Sequence, residues 1–292
     1  MEGRFENFAP VEPPFEILAP AAQTLPVVLA SPHSGIDYPS EFLAASRLDP
    51  IALRRSEDSF VDEIFAGATT LGAPLLRARF PRAYLDANRE AWELDPAMFE
   101  DALPEYVNSR SPRVQAGLGT IARIVASGED IYTGKLRWSE AMRRIERLYQ
   151  PYHRALHQLV ETTRGRFGHY LLLDCHSMPS AADRGGRNRI DIVLGDCHGA
   201  ACHPLIMETA HRTLSAKGYA VARNTPYAGG FTTAHYGKPA AGGHCLQIEI
   251  SRALYMDERS FGRKPYLAQL AGDMRDVAAA LAAIDLSLIA AA

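Results

Sequence analysis

Short, continuous apolar runs recur along this chain, separated by stretches with helical spacing. Leu25–Ala30 (LPVVLA) is too short for a helix and is flanked by proline, so it predicts a buried strand. Tyr170–Cys175 (YLLLDC), Ile190–Leu194, Ala220–Arg223 and Cys245–Ile250 (CLQIEI) read the same way, and Leu75–Phe80 and Tyr84–Leu85 predict short strands around Pro81. Elsewhere the period changes. Phe60, Val61, Ile64, Phe65 and Ala68 form an apolar stripe, and acidic residues near Ser56–Asp58 predict the start of that helix, where negative charge suits the dipole. Further helices are expected over Lys135–Arg166, with a break or kink at Pro151, and over Cys202–Ala216 and Tyr266–Ala283. Apolar strands alternating with helices predict an α/β fold with a mostly parallel sheet. Pro10, Pro13, Pro14 and Pro20 make residues 1–24 an extended lead-in, and residues 25–292 read as one α/β domain.

Composition narrows the function classes. The 292 residues are 47% hydrophobic and carry a net charge of −3 without a basic stripe, which speaks against a nucleic-acid partner. No apolar run has the length of a membrane span and no signal-peptide core follows the N-terminus, so a soluble, cytoplasmic protein is expected. Four scattered cysteines (Cys175, Cys197, Cys202, Cys245) do not make a disulfide framework.

Chemistry concentrates near strand ends, where α/β sheets bind ligands. His33 follows the first strand and His176 follows YLLLDC in a second His-Ser turn; if the strands are neighbours, both imidazoles face one crevice. Asp58 is the natural oxygen ligand to join them, with Glu57 as the alternative, and two histidines with one carboxylate suit catalytic zinc. Asp174 shares a face with His176 and can orient it. A plainer reading makes each histidine a hydrogen-bonded turn residue and Asp58 a helix cap. Glu249 lies on the same strand face as Gln247, with isoleucines opposite; a carboxylate there suits a general base, or else a salt bridge to an arginine such as Arg252. Asn88 and Arg89 offer a carboxylate clamp, with Arg82 as a further cation. The Gly-rich segment from Tyr227 to Gly237 reads as an active-site loop, with Thr232 and Tyr236 as substrate contacts. Gly117–Ala122 lacks the preceding strand of a dinucleotide site, and Cys197–His203 lacks haem-attachment spacing.

Taken in order, these blocks resemble the N-formylglutamate amidohydrolase family: Ser31–Gly35 (SPHSG) with Tyr38-Pro39, Glu57-Asp58 with Val61-Asp62, Asp86–Arg89 (DANR), Leu173–Ser180 (LDCHSMPS), Asp191–Asp196 (DIVLGD), and Gln247–Arg252 (QIEISR) with Leu254–Asp257. The resemblance implies a three-layer α/β/α fold with a mixed, mainly parallel sheet, similar to the zinc carboxypeptidases. It implies His33, Asp58 and His176 as ligands of Zn2+ or another divalent ion, Glu249 as the catalytic glutamate, and Asn88 and Arg89 as holders of the substrate carboxylate. In the mechanism expected for such a site, Arg82 is placed on the oxyanion. The implied reaction cleaves N-formyl-L-glutamate to formate and L-glutamate in histidine degradation. Another small acyl amino acid or peptide as substrate, or a non-catalytic anion-binding role, are the alternatives.

Overall fold

The computed structural model describes residues 11–125, 127–180 and 190–286, so residues 1–10 of the expected lead-in lie outside the described residues. Its strands are β1 (Phe15–Leu18), β2 (Val27–Ser31), β3 (Leu75–Ala78), β4 (Tyr170–Met178), β5 (Ile192–Gly195), β6 (Val221–Arg223) and β7 (Gly243–Ser251), followed by a small hairpin of β8 (Met256–Asp257) and β9 (Gly262–Arg263). The helices are α1 (Ser40–Ala45), α2 (Pro50–Arg54), α3 (Val61–Phe65), α4 (Pro112–Gln115), α5 (Trp138–Arg144), α6 (Gln150–Phe167), α7 (Pro204–Ala216), α8 (Phe231–Tyr236) and α9 (Leu267–Ala282). The chain forms two compact units. The first comprises Met1–Glu16, Pro32–Glu57 and Ala78–Ala155; the second comprises Ile17–Ser31, Asp58–Arg77 and Leu156–Ala292.

The main sheet has seven strands in the order β1-β3-β2-β4-β7-β5-β6. The pairs β2–β3, β2–β4, β4–β7 and β5–β6 are parallel, and β5 runs antiparallel to β7. The sheet is mostly parallel, as the apolar runs predict, and mixed, as the resemblance implies. Because side chains alternate along a strand, the register decides what each face carries. One row runs Leu75, Leu29, Leu173, Leu246 across β3, β2, β4 and β7. With Cys175, Ile192, Leu194, Ile248 and Ile250 it packs against α3, α7 and α9 in a continuous apolar core. The opposite phase runs Leu76, Ala30, Asp174, Gln247, Gly195, and the next row pairs His176 with Glu249 and Glu249 with Val193. On the β4–β7 pair, one face is thus mainly apolar, with His244 and Ser177 towards its two ends, and the other carries Asp174, His176, Gln247 and Glu249.

The structure revises several local expectations. The helix expected from Ser56–Asp58 begins at Val61, because Phe60 adopts a left-handed φ of 67°. Tyr84–Leu85 belongs to a turn rather than a strand. The strand expected to end at Cys175 continues to Met178, so His176 and Ser177 lie within it. Pro151 does not break its helix. A π-helical turn over Ile145–Tyr149 precedes it, where the Gln150 N–H reaches back five residues to the Ile145 carbonyl. That wider turn absorbs the strain and the missing donor of the proline. Among the described residues, no helix is long and apolar enough to cross a membrane.

In the first unit a buried cation gathers otherwise irregular chain. Arg144 donates from Nε to Glu140 Oε1 (2.7 Å) and from Nη1 to the Tyr84 carbonyl (2.9 Å) and the Tyr132 hydroxyl (2.7 Å). Its guanidinium also lies 3.9 Å over the Tyr84 ring. Removing one partner of such a pair strands the other, so Arg144→Met is expected to lower unfolding free energy by about 3–5 kcal/mol in urea denaturation. Burial alone would raise the Glu140 carboxyl, but Arg144 and Arg143 hold it below 4.5. A lowered carboxylate stabilises the fold above its unfolded value and ceases to as pH falls through its folded one. The stability gap between wild type and Glu140→Gln should therefore be full at neutral pH and close on acidification below 4.5.

Candidate active site

The second unit builds its polar cluster on the β4–β7 register. His176 is fully buried between two carboxylates: Nε2 lies 2.8 Å from Asp174 Oδ1, and Nδ1 lies 3.0 Å from Asp58 Oδ2. Burial alone would lower its pKa. The charge and hydrogen bond of Asp174, the hydrogen bond of Asp58 and the charge of Glu249 overcome that and hold it well above 6.5. Asp58 reaches this position because the left-handed Phe60 separates it from α3. The N-cap of that helix is Phe60. Asp58 Oδ1 accepts from Ser177 Oγ (3.2 Å) and from Arg252 Nη2 (3.1 Å), and Arg252 Nε also donates to Ser177 Oγ (3.2 Å). The arginine weighed as a partner for Glu249 is thus engaged with Asp58.

Glu249 is instead met by Gln247, whose Nε2 donates to Oε1 at 3.0 Å. Asp174 Oδ2 accepts from the Thr233 hydroxyl at 3.0 Å. Thr233 comes from α8, which the sequence presents as part of a loop. Gly195 explains how α8 is led in: a Cβ there would lie 2.7 Å from the Ala228 carbonyl carbon, so only glycine lets the segment before α8 cross the end of β5. Thr232 and Tyr236 are buried in the same short helix, and the Tyr236 carbonyl accepts from Tyr170 Oη at 2.7 Å.

The first unit builds a matching cluster around Asp86. His33 Nε2 lies 2.7 Å from Asp86 Oδ1, which also accepts the Asn88 backbone N–H at 2.8 Å. Asp86 Oδ2 takes Arg82 Nε at 3.0 Å and lies 3.4 Å from Arg89 Nη2. Burial would raise this carboxyl, but Arg89, His33 and Arg82 hold it well below 3.8. Arg89 is itself buried, with Nε on the Leu118 carbonyl (2.9 Å) and Nη1 on the Asn88 carbonyl (2.7 Å). The turn bearing His33 is fixed by Gly35, where a Cβ would fall 2.2 Å from the Phe80 carbonyl oxygen. Glu57 is taken by the Tyr38 hydroxyl (2.7 Å) and by Arg54 (3.1 Å), whereas Asp58 turns to His176.

Sequence reasoning singled out His33, Asp58, Asp174, His176 and Glu249. It did not name Asp86, Ser177 or Thr233 as their partners. Asp86 carried a signal, an acid three residues before Arg89 and four after Arg82, but an acid among arginines reads as a surface pair. Among the described residues, His33, Asp58 and His176 are the group of three buried side chains with the donors to hold a metal ion.

The fold is α/β, and its mixed sheet carries Asp174, His176, Gln247 and Glu249 buried on one face of β4 and β7. The family model for N-formylglutamate amidohydrolase matches residues 25–256, and the chain belongs to that family. It is 28% identical over 238 residues to the N-formylglutamate deformylase of Pseudomonas putida, across 80% of this chain and 83% of that protein. A similar enzyme from Pseudomonas aeruginosa is 27% identical over 249 residues, 84% of this chain and 87% of the relative. The crystal structure of N-formylglutamate amidohydrolase from Ralstonia eutropha JMP134 superposes with a TM-score of 0.87 at 39% identity, covering 92% of this chain and 97% of that one.

Arg252 holds a buried carboxylate from the side away from His176. Arg252→Met is expected to cost about 3 kcal/mol, since it strips a buried charge of its partner. A denaturation midpoint within error of wild type would refute that role.

Proposed function

We propose that this protein hydrolyses N-formyl-L-glutamate to formate and L-glutamate with a divalent metal ion, zinc by preference, held by His33, Asp58 and His176. The observation that carries the reading is the pairing of His176 with Glu249 across the β4–β7 ladder, in a chain whose relatives are formylglutamate amidohydrolases. The residues fit a metal. Each histidine has one ring nitrogen against a carboxylate, Asp86 for His33 and Asp174 for His176. Such backing fixes the tautomer and raises the basicity of a ligating imidazole. Asp58 adds the hard oxygen donor that completes two histidines and a carboxylate, the set of an open catalytic zinc site.

When bound, the ion supplies Lewis-acid polarisation of a carbonyl and lowers the pKa of water towards roughly 7. Glu249 takes the proton of the water that attacks the formyl carbon and delivers it to the departing amino nitrogen. The C–N bond breaks, leaving formate and the free amine of glutamate. Arg82 stabilises the developing oxyanion, a contribution of roughly 3–4 kcal/mol for one well-placed donor. Asn88 and Arg89 hold a substrate carboxylate. The Arg89 fork is already oriented by the Leu118 and Asn88 carbonyls, so little ordering is left to binding. Residues 25–292 act as one catalytic domain, and histidine degradation in the cytoplasm is the setting that suits this substrate and the free cysteines.

Purified protein should release formate from N-formyl-L-glutamate, lose that activity to a chelator and regain it with zinc. Glu249→Gln should lower kcat by about 10²–10⁴-fold with bound zinc unchanged by atomic emission. No formate from metal-loaded protein would refute the substrate, and normal turnover in Glu249→Gln would refute the base.

A further inference from the structure

Gln247 is 3% exposed and lies two residues before Glu249 on the same face of β7, between Asp174 of β4 and Gly195 of β5. Its Nε2 donates to Glu249 Oε1 at 3.0 Å, and its Oε1 lies 3.4 Å from Thr233 Oγ1. The amide has one sensible orientation, because turning it over would set two acceptor oxygens against each other. Its neighbours keep it there. Gly195 brings no side chain into the row, and Thr233 is anchored by the Gly230 N–H (3.2 Å) and by Asp174 (3.0 Å).

We propose that Gln247 is the positioning residue of the catalytic glutamate: its side-chain N–H holds Glu249 Oε1 and so fixes the rotation of the carboxylate that handles the proton. The proposal rests on the reading of Glu249 as the base. A glutamate has three side-chain torsions, the last broad and weakly determined. The Gln247 N–H favours one rotation of that carboxylate, and small misplacements of a reacting group cost on the order of 10²-fold. Gln247 removes that freedom without touching substrate. It also ties the base, through Thr233, to the carboxylate that backs His176, so one hydrogen-bonded chain sets both.

The test is a double-mutant cycle on metal-loaded full-length protein. Gln247→Met keeps the length of the side chain and deletes the donor. It should lower kcat by roughly 10–100-fold, with KM, bound zinc and thermal midpoint close to wild type. In the Glu249→Gln background the same substitution should cost nothing further, because the residue acts through the base. Should Gln247→Met fold poorly, Gln247→Asn serves instead, its amide being too short to reach Oε1. Wild-type kcat in a Gln247 variant beside an inactive Glu249→Gln overturns this proposal alone. So does a loss confined to KM, or losses that multiply independently in the double mutant. Full turnover in Glu249→Gln by itself overturns the base assignment and this proposal with it.

Discussion

The nine-residue parallel pairing of β4 with β7, from Tyr170 opposite Gly243 to Met178 opposite Ser251, is the constraint on which the candidate site depends. It sets Asp174 beside Gln247 and His176 beside Glu249, and it sets Leu173 beside Leu246 and Cys175 beside Ile248 on the other face. A slip of one strand by a single residue would exchange the two sets for that strand. Carboxylates would then enter the layer under α3, α7 and α9, where burying an unpaired charge costs several kcal/mol. The apolar core thus locks the register, and the register assembles the polar face. Stability and chemistry are two sides of the same ladder.

The polar face carries its own tension. Asp58, Asp174, His176, Gln247, Glu249 and Arg252 are all buried, and each needs partners that do not consume the atoms the chemistry uses. The structure meets this by splitting the duties of single side chains. Asp58 gives Oδ1 to Arg252 and Ser177 and turns Oδ2 to His176. Asp174 gives one oxygen to His176 and the other to Thr233. In the first unit Asp86 likewise divides its oxygens between His33 and Arg82. Such division orients each carboxylate through both of its oxygens.

How much of this was legible follows from the physics of each signal. Apolar runs marked β2, β4, β5, β6 and β7, because a strand buried on both faces must be apolar over most of its length. The same rule cut β4 short at Cys175. Polar residues usually end a buried strand, yet His176 and Ser177 continue it because their partners come from Asp58 and Arg252, distant in sequence. The helix α8 was invisible for a related reason. Six residues between glycines carry no periodicity, and its place is set by contact of Thr233 with Asp174. Pro151 misled in the opposite direction, since a π-helical turn is a remedy that propensity does not foresee. Residue types pointed to His33, His176 and Glu249; Asp174 and Gln247 lie two residues from the groups they meet, but Asp86 against His33 and Asp58 against His176 are non-local pairings.

That division between legible and illegible is itself informative about the site. The residues visible in sequence are those whose type is costly where they sit, such as a glutamate between isoleucines or a histidine in a buried strand. Those that stayed hidden, Arg252, Thr233 and Ser177, have types that are ordinary at a surface and become meaningful only through burial. Arg252 shows the logic most sharply. In sequence, a cation at the end of β7 is one of several arginines that could pair with Glu249, the nearest carboxylate to it. Residues 249 and 252 differ by an odd number, however, and the chain turns into a short 3-10 segment at Arg252. The guanidinium is therefore directed to Asp58 and Ser177, and Glu249 Oε1 accepts from the Gln247 amide. The amide that donates to Glu249 Oε1 carries no formal charge. For the proposed role of Glu249 as a base, such a donor orients the carboxylate without adding a positive charge of its own.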